Sequence, residues 1–400
     1  MQKPWGQIVG LWLVGVLAAA QLAKMSSLGP LLRESYGLTL AQTGLLISLL
    51  EVGGGLFGFA AGLALGQIGS RRFLLSGLSL LTAAGLCEAA AGNAPTLFAA
   101  RAVEGIGYLL VVTAAPTMIA AIASDGQRGT ALALWSSFVP VGVAFGSAVT
   151  GLALELASPR VIMLFWALVP AGIVAGLLTR RVERPAARQR LELPALSGWI
   201  STLSFGFYTT YVCAFSMLLP TFLIERTGVQ VSIAAAITGA ASLSALAGSA
   251  YAARELHRGL VDMRAILILI AGSLVVSSAL ALLTFEPHLG QLRGAAAISG
   301  FAAMLCMVSS GIAPPLIFAR LPRMAGAMTA DSPRIATVNG LITQFGAGGA
   351  LIGPPLGGVV VTRWGWLALG VAIALLAFGM LVTTVLAELL GEQPRRATSA

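Results

Sequence analysis

The sequence predicts an all-α protein that crosses a membrane twelve times. Hydrophobic residues make up 57% of the 400 residues, and the mean hydropathy of the chain is +0.91. A soluble protein of this composition would lack the polar surface needed to cover its core. Apolar runs of about 20 residues, enough to cross about 30 Å of hydrocarbon, recur along the whole chain. Twelve such runs are centred near residues 17, 53, 82, 108, 142, 169, 211, 242, 275, 305, 347 and 377.

The predicted helices divide into two sets of six. The longest polar interruption runs from Thr179 to Leu196 and is rich in arginine. We therefore predict a six-helix bundle over residues 1–179, a basic linker over 180–198 and a second six-helix bundle over 199–400. The other loops are short, so consecutive helices should be antiparallel neighbours. No loop can hold a soluble catalytic domain, and we expect the chain not to be an enzyme.

The N-terminal segment shares features with a secretory signal peptide, because Lys3 precedes an apolar stretch that contains small residues at 18–20. The apolar core of a signal peptide is only about 7–15 residues long, whereas this run continues past Gln21 and Lys24 to Leu32. We therefore expect the segment to be retained as the first membrane helix.

The basic residues are distributed unevenly between the two sides of the predicted bundle. With the N-terminus in the cytoplasm, seventeen of the 24 Lys and Arg residues fall on that side, five fall outside and two lie in helices. Because Lys and Arg are enriched in cytoplasmic loops, we expect both termini in the cytoplasm and the chain in a bacterial cytoplasmic membrane. The same distribution accounts for the net charge of +9 without a nucleic-acid partner.

Small residues repeat between the two halves. The eleventh predicted helix carries Gly340, Gly349, Gly353, Pro354, Gly357 and Gly358. At a constant offset of 207, the fifth carries Ala133, Gly142, Gly146, Ser147, Thr150 and Gly151. Small residues at such intervals allow neighbouring helices to approach closely. This pattern predicts that the two halves are parallel copies of one plan.

Three short sequence motifs lie in or next to the predicted helices. After the second helix, the segment 62–71 is similar to G-x-x-x-D-R-x-G-R-R, with matches at Gly62, Gly69 and Arg71 and with Gly66, Gln67 and Ser70 as replacements. In the fourth helix, Arg101-x-x-Glu104-Gly105-x-Gly107 is similar to R-x-x-Q-G-x-G. The glycine series of the eleventh helix matches a motif that antiporters carry in their fifth helix.

Together these segments resemble the major facilitator superfamily over essentially the whole chain. The resemblance implies two six-helix bundles and a secondary transporter that works by alternating access. It also implies that the first, fourth, seventh and tenth helices line a central cavity, and that the glycine series and the loop motif control conformational change.

Five charged residues interrupt the apolar runs, and all five lie in the first half. They are Lys24, Glu51, Glu88, Arg101 and Glu104. Only 10% of the chain is charged, and a charge at membrane depth is costly, so such residues usually face a cavity, a partner or a proton path. We therefore expect coupling chemistry in the first half and expect the second half to supply shape.

Arg101 and Glu104 are three residues apart and therefore share one face of the fourth helix. They are interpreted either as a proton relay or as a permanent ion pair that fixes helix packing. Glu51 lies near the middle of the second helix, just before Gly53–Gly55. It is interpreted as a carboxyl that loads and releases a proton, because burial favours its neutral form and a nearby cation its charged form. The alternative is a permanently protonated side chain.

Lys24 shares a face of the first helix with Gln21, and three roles are open for it. It could bind a substrate anion, pair with Glu51 or Glu88, or extend to the membrane surface. Glu88 is only a few residues from Asn93, where the third helix ends, so we expect it at the interface.

The second half has no charge deep in a predicted helix and offers aromatic and sulfur-containing side chains instead. Tyr208, Tyr211 and Phe215 share a face of the seventh helix, while Met304 and Met307 lie in the tenth and Gln344 in the eleventh. With the family resemblance, these residues are candidates for the substrate cavity, and ordinary helix packing is the alternative. Pro314 and Pro315 should break or kink the tenth helix.

No nucleotide-binding loop, metal-binding cluster or catalytic triad is evident, so we expect no cofactor and no metal. The sequence predicts a monomeric, proton-coupled transporter whose partners are the lipid bilayer, protons and a small organic solute. An organic anion recognised by Lys24 is the first substrate hypothesis. The second is an efflux antiporter for hydrophobic or cationic compounds, and a third is a receptor or scaffold that does not transport.

Overall fold

A computed structural model describes residues 4–123, 131, 134–135, 137–178, 193–258, 262–286, 294–326 and 333–391. Within these residues the chain is helical and contains no strand. The helices are α1 (Pro4–Tyr36), α2 (Leu40–Ser48 and Val52–Ile68, joined by the 3-10 turn Leu49–Glu51), α3 (Ser70–Ala90), α4 (Ala94–Ile122), α5 (Phe138–Ala153), α6 (Pro159–Leu178), α7 (Leu196–Thr227), α8 (Val231–His257), α9 (Met263–Thr284), α10 (Ala295–Ser310 and Ala313–Met324), α11 (Pro333–Trp364) and α12 (Trp366–Gly391).

All twelve predicted centres fall inside helices, in the predicted order. Eleven of the described helical spans are long and apolar enough to cross a membrane, and α5 is a shorter apolar helix. Residues 180–192 of the predicted linker lie outside the described residues. α7 begins at Leu196, directly after Pro194 and the extended residue Ala195, so the helix starts within the last residues of the predicted linker.

Local sequence signals explain several helix boundaries. Thr39 and Gln42 form a reciprocal capping box at the start of α2, which satisfies two backbone donors. The Asn93 side chain accepts from the Thr96 amide at 3.0 Å and begins α4. Between α2 and α3, Gly69 has φ +91°, a conformation that a side chain disfavours. This turn gives the loop-motif glycine a structural role.

The predicted break in α10 is confirmed. The helix stops at Ser310, turns through residues 311–312 and resumes at Ala313. Pro314 and Pro315 lack the amide hydrogens that a continuous helix would need. Both segments of α10 pack against α7, α8 and α9.

The internal repeat is confirmed by equivalent packing in the two halves. In the first half, a Cβ built at Gly146 would lie 2.7 Å from the Ala20 carbonyl oxygen, so α5 packs closely on α1. In the second half, Gly353 lies in the same way against the Thr210 carbonyl oxygen, so α11 packs closely on α7. In each half, a small residue at the equivalent position therefore allows close packing on the first helix of that half.

The two halves meet mainly along three pairs of helices, α1 with α7, α2 with α11 and α5 with α8, and α2 also touches α7. We call the side where α6 ends and α7 begins the linker side, and the opposite side the far side. On the far side, Ser26 of α1 donates to the Met217 carbonyl at 3.0 Å, and Arg33 pairs with Glu225 at 2.5 Å. These contacts bring α1 and α7 together on the far side.

Replacing Gly44 with alanine should separate α2 from α11. A Cβ at this position would lie 2.5 Å from the Pro354 carbonyl oxygen, and backbone cannot move aside cheaply. We expect a loss of about 1–3 kcal/mol in the free energy of unfolding, measured by unfolding of the purified protein. The control is Gly172→Ala, because nothing lies within 4 Å of a Cβ there. Equal stabilities of the two variants would contradict this packing.

Candidate functional site

Four charged side chains meet in the interior of the first half. Lys24 of α1 donates to Glu88 of α3 at 2.7 Å and to Glu104 of α4 at 3.1 Å. Arg101 of α4 pairs with Glu104. Residue exposures are 0% for Lys24 and Arg101 and 1% for Glu88 and Glu104. We call this set the charge cluster; its two cations and two carboxylates sum to zero.

Arg101 is the centre of the charge cluster. Its Nη2 donates to the Gln21 and Ile47 carbonyls at 3.1 Å each, and its Nε donates to the Leu46 carbonyl at 3.1 Å. Its Nη1 faces Glu104 and lies 3.9 Å from Glu88 Oε1. One guanidinium therefore joins α1, α2, α3 and α4.

Two of the three carbonyl partners of Arg101, Leu46 and Ile47, lie just before the interruption of α2. There the 3-10 turn Leu49–Glu51 replaces α-helical bonding, and the Val52 amide donates to the Leu49 carbonyl. Carbonyls at such a break need other donors, and the guanidinium supplies them. Gly105 of α4 permits this approach, because a Cβ there would lie 2.5 Å from the Leu49 carbonyl oxygen. The fourth-helix motif thus places both its charges and its glycine against the α2 turn.

A second layer of hydrogen bonds extends the cluster to α5 and α6. The Gln21 amide donates to the Trp166 carbonyl at 3.3 Å, and the Trp166 indole donates to Thr150 Oγ1 at 3.0 Å. Gln21, predicted as a substrate contact, therefore lies between the charge cluster and α6. All six helices of the first half contribute to one polar network.

One oxygen of the charge cluster has no hydrogen-bond partner. Glu88 Oε1 is buried and accepts no hydrogen bond within the described residues, while Oε2 accepts from Lys24. Glu104 and Glu88 share the same ammonium group, which holds their negative charges close together. A buried carboxylate oxygen without a donor is destabilised, and a proton would satisfy it. The geometry therefore suits a site that takes up one proton.

The predicted interfacial position of Glu88 is wrong. α1 continues to Tyr36, whose hydroxyl donates to the Ala91 carbonyl at 2.9 Å, so α1 covers the end of α3. Of the three roles predicted for Lys24, pairing with carboxylates is the one observed. Its partners are Glu88 and Glu104, and no described contact links it to Glu51.

Glu51 differs from the cluster residues because it is only half-buried. It closes the 3-10 turn of α2, and its carboxyl interacts with the Tyr108 hydroxyl of α4 and with the charge of Arg101. Glu51 is therefore the carboxyl at this site that retains some exposure. The predicted coupling residues Glu51, Arg101 and Glu104 lie close together, and Lys24 and Glu88 lie beside them.

Several predicted cavity residues of the second half lie in its core. Tyr211 and Phe215 are buried, Tyr208 and Met307 are nearly so, and Met304 is partly buried. Phe215 packs edge-on against Phe285 at 5.3 Å, and Tyr208 against Tyr211 at 5.4 Å. These contacts agree with the alternative interpretation of the aromatic and methionine residues, which is ordinary helix packing. Gln344, by contrast, lines a cavity between α2, α7 and α11.

A buried ion pair in the second half was missed. Arg320 of α10 donates to Glu388 of α12 through two nitrogens, and Arg323 lies 3.8 Å from the other oxygen of Glu388. Both partners of the main pair are buried. Arg320 was counted only as a charge on the cytoplasmic side. Glu388 lies four residues before the polar C-terminal segment that begins at Glu392. Neither residue therefore interrupted an apolar run.

The comparisons with known proteins agree with this architecture. A family model described as Major Facilitator Superfamily matches residues 11–330. A cephamycin export protein of Amycolatopsis lactamdurans is 28% identical over 78% of this chain and 71% of its own length. A methylenomycin A resistance protein of Streptomyces coelicolor (28% over 47% of this chain) and a lincomycin resistance protein of Streptomyces lincolnensis (30% over 48%) are each covered over 40% of their lengths.

Solved structures show the same fold. A bacterial homologue of the human lysosomal transporter Spinster, in an inward-facing and occupied conformation, superposes with a TM-score of 0.71 at 16% identity over 98% of this chain and 96% of that chain. Its inward-facing, unoccupied form gives a TM-score of 0.70 at 14% identity, over 98% of this chain and 97% of that chain.

Proposed function

The chain belongs to the major facilitator superfamily, and we propose that it is a proton-coupled secondary transporter that exports a small, mainly apolar molecule by alternating access. It is a multi-pass membrane protein and a transporter rather than an enzyme. The basic residues favour a bacterial cytoplasmic membrane, with the linker side in the cytoplasm.

The observation that carries proton coupling is the charge cluster with its one unsatisfied oxygen. A proton on Glu88 would remove one negative charge and weaken its attraction for Lys24. Lys24 lies two residues from Ser26, whose hydrogen bond to Met217 joins α1 to α7 on the far side. The protonation state of Glu88 is therefore tied to a helix that closes the far side, as alternating access requires.

Glu51 is proposed to exchange protons between the charge cluster and the interior space of the transporter. It is half-buried, whereas the cluster carboxylates have almost no exposure. Its contact with Tyr108 and its interaction with Arg101 connect it to the cluster. Ionisable groups in membrane helices that face a cavity commonly form such relays.

The ion pairs of Lys24 favour the second predicted substrate class over an organic anion. An anion would have to displace Glu88 or Glu104, which hold the ammonium group at 2.7 and 3.1 Å. The names of the relatives, one export protein and two resistance proteins, support outward transport. An apolar solute needs no charge partner, and the Gln344 cavity offers it apolar walls.

Glu51→Gln is expected to reduce proton-driven export to the rate of protein-free vesicles. The amide keeps the size of the side chain but carries no exchangeable acidic proton. The measurement is flux of neutral, cationic and anionic fluorescent solutes in proteoliposomes with an imposed pH gradient.

Glu255→Gln is the matched control, because Glu255 pairs with Arg258 at 3.2 Å near the surface. This variant should transport normally. Full gradient-driven flux in Glu51→Gln would remove Glu51 from the proton route. A wild-type protein that moves none of the solutes would overturn the proposed function and favour a receptor or scaffold.

A further inference from the structure

A cavity of about 590 Å³ lies between α2, α7 and α11 in the linker-side half of the molecule. Its volume is in the range of about 300–1,000 Å³ that is typical of sites for drug-sized ligands. The charge cluster contributes no residue to its lining. The cavity is therefore separate from the coupling site.

The walls of the cavity are apolar and aromatic. Four rings line it, and they belong to Phe59, Trp199, Phe207 and Phe345. No charged side chain is among the described lining residues. Thr210 already donates to the Gly206 carbonyl at 2.7 Å. Gln344 makes no hydrogen bond within the described part of the chain, so its amide can bind a ligand.

Exposed apolar side chains lie at the cavity. Leu203 of α7 and Ile352 of α11 line the cavity and are 39% and 56% exposed, and the neighbouring Leu56 of α2 is 59% exposed. The exposed surface at the cavity therefore suits the approach of an apolar molecule.

We propose that this cavity binds the exported molecule, and that this molecule is neutral, carries aromatic rings and has one hydrogen-bonding group for Gln344. The inference rests on the proposed export function and names its substrate class. A lipid acyl chain would leave the Gln344 amide without a partner in apolar surroundings, which is unfavourable. The occupied cavity also touches Gly55, one helical turn from Glu51, so the solute contacts the helix that carries the coupling carboxyl.

Gly348→Leu tests the site by filling it. Gly348 lines the cavity, and nothing lies within 4 Å of a Cβ built there, so the larger side chain enters empty space. The probe is N-phenyl-1-naphthylamine, a neutral amine that carries a phenyl and a naphthyl group. The wild-type and variant proteins are measured in lipid nanodiscs, and empty nanodiscs serve as the blank. We expect saturable binding to the wild type and at least about tenfold weaker binding to Gly348→Leu. The matched control, Gly272→Leu in α9, also has open space and should bind normally.

Gln344→Leu tests the polar contact with a matched pair of ligands. It should weaken binding of N-phenyl-1-naphthylamine about fivefold, in line with the loss of one hydrogen bond. Binding of 1-phenylnaphthalene, which lacks the N–H group, should not weaken. Equal effects on both ligands would overturn the role of the amide.

If Gly348→Leu binds N-phenyl-1-naphthylamine as tightly as the wild type does, the cavity is not the binding site. Wild-type binding no greater than that of empty nanodiscs would overturn it as well, because the cavity would then hold lipid only. Proton-driven flux of the amine in proteoliposomes separates the two proposals. If flux is present and Gly348→Leu retains it, the cavity inference fails and the export function stands. If binding follows the cavity variants but no solute is moved, the site stands and the export function fails.

Discussion

Arg101→Met is expected to abolish proton-coupled export and to lower the free energy of unfolding by about 3–5 kcal/mol. The substitution removes three hydrogen bonds to the Leu46, Ile47 and Gln21 carbonyls as well as the ion pair with Glu104. It also leaves the buried cluster with a net negative charge. Unfolding of the purified protein and flux in proteoliposomes measure the two effects.

Arg320→Met is the matched control for Arg101→Met, because Arg320 is also a buried arginine paired with a glutamate. It should lose stability but keep its coupling. Combining Arg101→Met with Glu88→Gln makes the charge cluster neutral again, and we expect it to recover part of the lost stability. A double variant no more stable than Arg101→Met would show that charge balance does not hold this cluster together.

Glu88→Gln is expected to leave the protein folded while export stops responding to the pH gradient. Its amide oxygen can still accept from Lys24, and its NH₂ group can donate to Glu104, so we expect a loss of only about 1–3 kcal/mol. The uncharged amide permanently mimics the protonated form of Glu88. Flux driven by a solute gradient, compared with flux driven by a pH gradient, measures the coupling directly.

Glu388→Gln provides the matched control for Glu88→Gln in the second half, since Glu388 is a buried carboxylate paired with Arg320. This variant should be less stable, but its export should respond to the pH gradient as in the wild type. If Glu88→Gln still exports in response to the pH gradient, the charge cluster is a structural ion network and protons travel elsewhere.

Hydropathy was sufficient to predict the membrane helices, because twelve apolar runs of membrane-spanning length leave little choice of architecture. Local rules also predicted the pairing of Arg101 with Glu104 at a spacing of three and the break of α10 at Pro314 and Pro315. These features depend on residues close in sequence, whose relative positions a helix fixes.

Contacts between distant helices were not predictable in the same way. Lys24 meets Glu88 and Glu104 across separations of 64 and 80 residues. Sequence distance to Asn93 placed Glu88 at the interface, but depth also depends on how far a neighbouring helix extends. Likewise, Tyr211 and Phe215 share a helix face in the sequence, but packing against distant residues such as Phe285 places this face in the core. The Gln344 cavity is lined by residues of three helices that are distant in sequence, and no local pattern marks such a place.

The 3-10 turn of α2 links the charge cluster to the contact between the two halves. The segment before it packs against α11 at Gly44, and the segment after it packs against the same helix at Gly54 and lines the Gln344 cavity at Gly55. Arg101 donates to the Leu46 and Ile47 carbonyls, which lie just before the turn. One short stretch of α2 therefore touches the charge cluster, the opposite half and the cavity, although these three features come from distant parts of the chain.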